Sequence, residues 1–506
     1  MLKKVSGWVV VASGVGTLIV LGLFAMRLMS NVSLFEPLQL QTSGFEQESL
    51  YAIWKYINGR YVYTFTHEIP YTFSNFNWFY YVFYGSITGL ILDVFGLADA
   101  WLPTITRLIT VLGAAVGALI AYRTMIGLAA VQRTDVSRVD VLALGLSVLV
   151  FFGPLAGFWA MTTRPDIWST AIEALLIIGF LRLYPASAMK ATLWALILGY
   201  GAWAFKTVDI TVAMGVGVFL LWGRHWLAAG VLAFGTLGSW VATYGLGTDA
   251  YQFSMLGAHQ SIVFAIDQGL RNVANFTIKM LPVLLPILAL VWLCFRQSAL
   301  RSKISKDWEL QFLIIATICS MTVSLLGSFK VGGAENYFFT PSLVLALLFY
   351  KAWSMAGIRD LISDTGIRLV GLALIGGWLL TGAATASVIS GINGVISQRP
   401  MHERAMQMAP CLRELPAPVF INDMFLALPW ISSSDQHFLL SFYYHSDRAA
   451  GRSFEADGVG GLINQGYFNS LVLENPIDEF DGASLSGYHL RPETCGGWVV
   501  YVKDTN

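Results

Sequence analysis

Charged and amide residues are scarce in this chain and gather at a few points. The segment "TSGFEQESLYAIWKYINGRYVY" places Glu46 and Glu48 two residues apart, just after a long apolar run. A carboxylate in a pocket at a membrane surface can take a proton from a hydroxyl acceptor. The plainer reading is a helix N-terminus that favours acids through its dipole. "TTRPDIWS" sets Arg164 two residues before Asp166 at the edge of another apolar run. These two either pair with each other or, because charge beside a span is costly, serve function. Lys206 and Asp209 lie in "AFKTVDI", and Lys330 opens "SFKVGGAENYFF", with Gly332, Gly333, Glu335, Asn336 and Tyr337 behind it. One cation at such a place usually snorkels. Three of them, Arg164, Lys206 and Lys330, beside acids could neutralise a phosphate, with the carboxylates as bases or metal ligands. "HEIPYTFSNFNWFYY" sets His67, Glu68, Asn75 and Asn77 among aromatic rings, the composition of a sugar site and equally of an interface belt. His259 and Gln260 are further polar residues of an outer loop; a lone His is more often a hydrogen-bonded structural residue. No P-loop or dinucleotide fingerprint follows a strand, and neither GxSxG nor HExxH occurs.

These residues must be positioned by apolar elements. Of 506 residues, 56% are hydrophobic and 12% charged, against about 25% charged in a soluble domain. The 31 basic and 31 acidic residues cancel, which excludes a strongly basic nucleic-acid binder and an acidic disordered chain. Apolar runs long enough to cross a hydrocarbon layer of about 30 Å recur, so the expected class is an α-helical polytopic membrane protein. Hydropathy predicts about eleven spans, near 6–29, 104–127, 140–160, 167–184, 190–205, 208–223, 226–245, 273–295, 310–329, 338–355 and 367–389. The first run, behind Lys3 and Lys4, is too long for a signal peptide and reads as a retained helix that starts in the cytoplasm.

One apolar stretch, Asn77 to Leu97, carries Asp93 and many aromatics. If it does not cross, one side of the membrane holds fifteen loop Lys and Arg residues and the other eight before residue 390. The positive-inside bias therefore makes it an interfacial helix within a long first outer loop, 30–103. An amphipathic helix should precede it from about Ser49, with Leu50, Ile53, Trp54 and Ile57 on one face and Ser43 or the glutamates as its cap. This topology puts every polar cluster above on the extracytoplasmic face.

At residue 391 the composition changes. Residues 1–390 form the expected membrane domain, and 391–506 read as a small soluble extracytoplasmic α/β domain with the β-like runs "PVFIND", "HFLLSFYY", "YFNSLVLE" and "GWVVYVKD". Cys411 and Cys495 lie near its ends and, on an oxidising face, are expected to pair. Cys294 and Cys319 sit in apolar runs as fillers.

The order of these features resembles the GT-C superfamily of polytopic glycosyltransferases, near glycosyltransferase family 39, with protein O-mannosyltransferases, aminoarabinose transferases and oligosaccharyltransferases as relatives. The resemblance runs over residues 40–340: "GFEQESLYAIWKYINGRYVY", "SNFNWFYY", "ITRLITVLGAAVGALIAY", "TRPD", "FKTVD" and "GGAENYFF" in that order. It implies a sugar donor on a polyprenyl phosphate, an extracytoplasmic active site, and an inverting transfer to a glycan, glycolipid, envelope polymer or protein. It implies a catalytic acid early in the first loop, on Glu46 or alternatively Glu48, and a second acid on Asp166 with Arg164 beside it. The polar residue between later spans falls on Lys206, and the Gly-Gly…Asn-Tyr segment on Gly332, Gly333, Asn336 and Tyr337. Some relatives need a divalent metal, Mg or Mn, and others none; Glu46, Glu48 and Asp166 are the ligands it would take. Two departures stand out: Glu46-Gln47-Glu48 replaces the usual Asp-led acid, and Phe76-Asn77 replaces a Pro-Pro pair.

The expected site is therefore Glu46, Glu48 and Asp166 for catalysis, Arg164, Lys206 and Lys330 for donor phosphate, and Asn75, Asn77, His259, Asn336 and Tyr337 for substrate. The expected location is a bacterial inner membrane, with membrane lipid and a polyprenyl-phosphate sugar as partners. A transporter or flippase of lipid-linked sugars is the alternative; it should show repeat symmetry and polar residues at the bilayer midplane. A scaffold whose tail binds a partner is the third class.

Overall fold

The computed structural model describes residues 2–40, 45–130, 140–258, 263–355, 364–387, 399–433 and 441–504. Its helices are α1 (Leu2–Asn31), α2 (Glu46–Ile57), α3 (Trp78–Phe95), α4 (Leu102–Ala130), α5 (Val141–Phe152), α6 (Asp166–Leu183), α7 (Ala188–Phe205), α8 (Thr211–Trp222), α9 (Trp226–Leu246) and α10 (Asp249–Gln252). They continue with α11 (Ile266–Lys279), α12 (Leu281–Arg296), α13 (Ser298–Ile304), α14 (Trp308–Ser328), α15 (Phe339–Ser354), α16 (Asp364–Ser387), α17 (Arg399–Glu414), α18 (Pro429–Ser432), α19 (Ser441–Ala449) and α20 (Gly458–Asn464).

A helix lies at each of the eleven expected spans. Among the described residues, five helical stretches are long and apolar enough to cross a membrane: Val10–Asn31, Trp78–Phe95, Asp99–Ala129, Trp226–Leu246 and Trp308–Ser328. The second of these is α3, the stretch read from the sequence as interfacial. Two expected spans are corrected. The run 273–295 is broken at Met280 into α11 and α12, bent by 82°, because Pro282 at the start of α12 has no N–H to continue the helix. The run 140–160 stops at Phe152, where Gly153 turns extended and Pro154 follows.

By internal contacts the chain forms two compact units. The first comprises residues 1–29, 109–242 and 263–393. In it α6 packs on α7, α14 on α8 and α15, and α12 on α16. Close approach is set by small residues: a Cβ on Gly215 of α8 would lie 2.8 Å from the Cα of Ala316 in α14.

The second unit comprises residues 30–108, 243–262 and 394–506. It holds α2 packed on α3 and a four-stranded sheet in the order β1-β2-β6-β5, from β1 (Val419–Ile421), β2 (Ser470–Leu473), β5 (Tyr488–Leu490) and β6 (Val499–Lys503). The pair β1/β2 is parallel, whereas β2/β6 and β5/β6 are antiparallel. A second small sheet joins β3 (Glu479–Phe480) to β4 (Ala483–Ser484). The sequence divides the chain at 390; the structure groups the tail with the first loop, and the two share one core. Tyr71 of the loop is fully buried against Phe420, Tyr444, Leu471 and Tyr501 of the tail, and its hydroxyl donates to Glu455 O at 2.6 Å. Thr66 donates to Asp447 at 2.6 Å. The β-like run "HFLLSFYY" is also corrected: from Ser441 it enters α19, with Tyr443, Tyr444 and Asp447 on the buried side at helical spacing. Cys411 and Cys495 are joined by a disulfide, with Cα atoms 5.7 Å apart.

Candidate functional site

In the first unit, Asp166 opens α6 behind Pro165, in the first turn where an acid suits the helix dipole. Its carboxylate is 1% exposed and collects groups from three segments. Lys206, which ends α7 in extended conformation, donates to Oδ1 at 2.6 Å. Asn336, on the turn before α15, donates to the same oxygen at 2.6 Å. Arg164 Nε stands 3.5 Å from Oδ2. Both cations also lie over rings: Arg164 is 4.6 Å from the centre of Trp159, and Lys206 Nζ 4.9 Å from that of Tyr337. Each aromatic face adds quadrupole attraction in a place that water barely reaches.

The charges set the protonation states. Burial acts to raise the Asp166 pKa, but Lys206 and Arg164, with the hydrogen bonds from Lys206 and Asn336, outweigh it and hold the carboxyl below its ordinary range. Burial likewise acts to lower the Lys206 pKa, and Asp166, Asp209 and Tyr337 outweigh it, so the ammonium is held above its usual value. Asp166 therefore stays ionised and is a weak base. It suits the work of holding two cations and an amide in one place. A guanidinium and an ammonium side by side offer the donors that an anion takes.

The segment that delivers Asn336 is locally pinned. Gly332 has φ 81°. A Cβ on Gly333 would lie 2.8 Å from Lys330 O and 2.9 Å from Gly327 O, so only glycine fits there. Gln268 and Asn272 of α11 both donate to Gly333 O. Lys330 pairs through its backbone with Phe264. Among the described residues, its ammonium makes no hydrogen bond or ion pair, so it does not share Asp166 with the other two cations.

The other expected residues belong to the second unit. Glu46 is fully buried and accepts from Arg107 with both oxygens, from Nε and Nη2 at 3.1 Å each. Arg107 also donates to the backbone carbonyls of Asn31 and Leu40. Helix α2 starts at Glu46, three residues before the expected position, behind Phe45 in left-handed conformation; Ser43 lies outside the described residues. Glu48 is 1% exposed and acts electrostatically on Lys55. Asn75 accepts from Tyr443 at 2.8 Å. Asn77 caps α3 through Trp78 N and accepts from Tyr251 at 2.7 Å. His259 lies outside the described residues.

Both Glu46 oxygens go to a guanidinium, and Asp166 faces two cations. Among the described residues, no three His, Cys, Asp or Glu side chains gather as ligands. Three residues were not singled out by sequence: Arg107, Trp159 and Glu173. A lone charge at the edge of or inside an apolar run marks Arg107 and Glu173 as needing partners, yet nothing local names those partners.

No protein-family model matches the chain, and no curated protein matches it. Solved structures do. The crystal structure of ArnT from Cupriavidus metallidurans in the apo state aligns over 98% of this chain and 98% of its own, with TM-score 0.57 and 12% identity. The same protein bound to undecaprenyl phosphate aligns over 98% of both chains, with TM-score 0.55 and 12% identity. The resemblance read from the motifs is thus borne out at the level of fold: the chain is built like ArnT.

Proposed function

We propose that this protein is an integral-membrane glycosyltransferase that moves a sugar from a polyprenyl-phosphate donor to an extracytoplasmic glycan, glycolipid or envelope polymer, with its N-terminus cytoplasmic and its tail periplasmic. The observation that carries this reading is the buried Asp166–Lys206–Arg164–Asn336 cluster in a chain with the fold of ArnT, one structure of which is described as bound to undecaprenyl phosphate. In this reading Arg164 and Lys206 bind the donor phosphate, and Asp166 and Asn336 hold them. A carboxylate takes the proton from the acceptor hydroxyl. That oxygen bonds to the anomeric carbon in line, the bond from the anomeric carbon to the phosphate oxygen breaks, and its electron pair leaves on the phosphate. The cations stabilise that growing charge. The base falls on one of the two acids that follow the first span, Glu46 or Glu48; Glu46 accepts from Arg107 with both oxygens.

The test is sugar transfer by the purified protein in detergent from a panel of polyprenyl-phosphate sugars. Glu46→Gln or Glu48→Gln, whichever removes the base, should lower turnover by about 10²–10⁴-fold, the worth of a general base. Full turnover in both Glu46→Ala and Glu48→Ala would remove the carboxylate base. No transfer from any donor by folded wild type would overturn the enzyme reading. A parallel EDTA arm tests the divalent metal.

A further inference from the structure

Seven residues after Asp166, on the same face of α6, stands Glu173, fully buried within an apolar helix. The mechanism above gives it no work. Its oxygens accept from the start of α8 and the start of α15: from Thr211 Oγ1 at 3.3 Å and Val212 N at 3.2 Å on one oxygen, and from Thr340 Oγ1 on the other. Asp166 binds the residues just ahead of those same two helices, Lys206 before α8 and Asn336 before α15. Between the two carboxylates on this face, Ser169 donates to Asp209, in the turn joining Lys206 to α8. The ladder is in register: Asn336 and Thr340 are four apart, one helical turn, and Lys206, Asp209 and Thr211 follow one another along a single short connection.

We infer that Glu173 is a positioning residue: it locks the starts of α8 and α15 onto α6 and so fixes Lys206 and Asn336 around Asp166. An acid in an apolar helix is costly unless every oxygen is satisfied. Here the return on that cost is the alignment of two segments that both carry site residues. The role of that site rests on the glycosyltransferase reading; the geometry of the lock does not.

The test separates the two. Amine acylation followed by mass spectrometry reads Lys206 directly in the full-length protein in detergent. Lys351 serves as an internal control: it is 2% exposed and ion-paired with Asp307 and Glu309 near the far end of α14. Glu173→Ala should raise acylation of Lys206 by about tenfold or more, the scale of losing several buried hydrogen bonds, and leave Lys351 protected. Glu173→Gln keeps an acceptor for Val212 and Thr211 and a polar partner for Thr340, so it should stay near wild type. Where a donor is turned over, Glu173→Ala should raise its KM more than it lowers kcat. If Glu173→Ala does not fold, Thr340→Val and Thr211→Val each remove one rung, and each should raise Lys206 acylation alone. Unchanged Lys206 acylation, a parallel rise at Lys351, or a Glu173→Gln variant as defective as Glu173→Ala would each overturn the lock. Absence of sugar transfer in wild type would remove the transferase reading and leave the acylation result to judge the lock.

Discussion

Glu46 and Asp166 are both carboxylates at the first residue of a helix, both buried, and both beside cations. Their surroundings differ in how the cations are held. Arg107 gives two donors to Glu46 and its remaining reach to the carbonyls of Asn31 and Leu40. It meets one carboxylate and two backbone dipoles inside its own unit, and the charge is neutralised in place. Arg164 and Lys206 share one carboxylate between them and lean on aromatic faces. Asp209 acts on Lys206 as well, and Arg164 and Lys206 are only 8% and 7% exposed. Residue type alone does not distinguish the two carboxylates; the set of segments that the fold brings to each does.

The comparison can be broken most forcefully at the closed pair. Arg107→Ala leaves Glu46 buried without its guanidinium and should cost about 3–5 kcal/mol of stability, read as a fall in melting temperature in detergent. Turnover per folded molecule should hold. Large loss of turnover at unchanged stability would turn the clip into a working part.

At the Asp166 cluster the expected loss is of rate. Lys206→Ala should lower kcat/KM for donor by about 100-fold, near 2.7 kcal/mol of transition-state stabilisation. Equal kinetics in wild type and variant would remove Lys206 from the phosphate site.

A pH dependence sharpens the second unit. Burial pushes Lys55 down to about 7, against the opposing pull of Glu48, and its amine donates to Val62 O at 2.6 Å. Between about pH 7 and its ordinary value of 10.5 the unfolded chain holds a proton there that the folded chain lacks. Stability should therefore rise with pH across that window, by up to about 1.4 kcal/mol per pH unit, and Lys55→Gln should flatten the slope. An identical pH profile for the two proteins would place the amine in water.

Much of the architecture was legible because it is local. Apolar runs marked a helix at each expected span, and the charge spacing singled out Arg164, Asp166, Lys206 and Asn336, which do meet. The misreadings have local causes that hydropathy averages away. Pro282 breaks an otherwise uniform run, and Gly153-Pro154 ends another early. "HFLLSFYY" carries both a strand's composition and a helix's spacing, and packing against the tail's core selects the helix.

The sequence by itself determined the class of protein, the apolar face of α2 and the short list of charged residues inside apolar surroundings. Only the tertiary structure decided which carboxylate each cation meets. Arg107 reaches Glu46 across 61 positions, Lys206 reaches Asp166 across 40, and Asn336 reaches it across 170. Periodicity is written in neighbours three or four residues apart, whereas those partnerships follow from which helix faces stack. A buried charge requires a partner, and the packed fold supplies its identity.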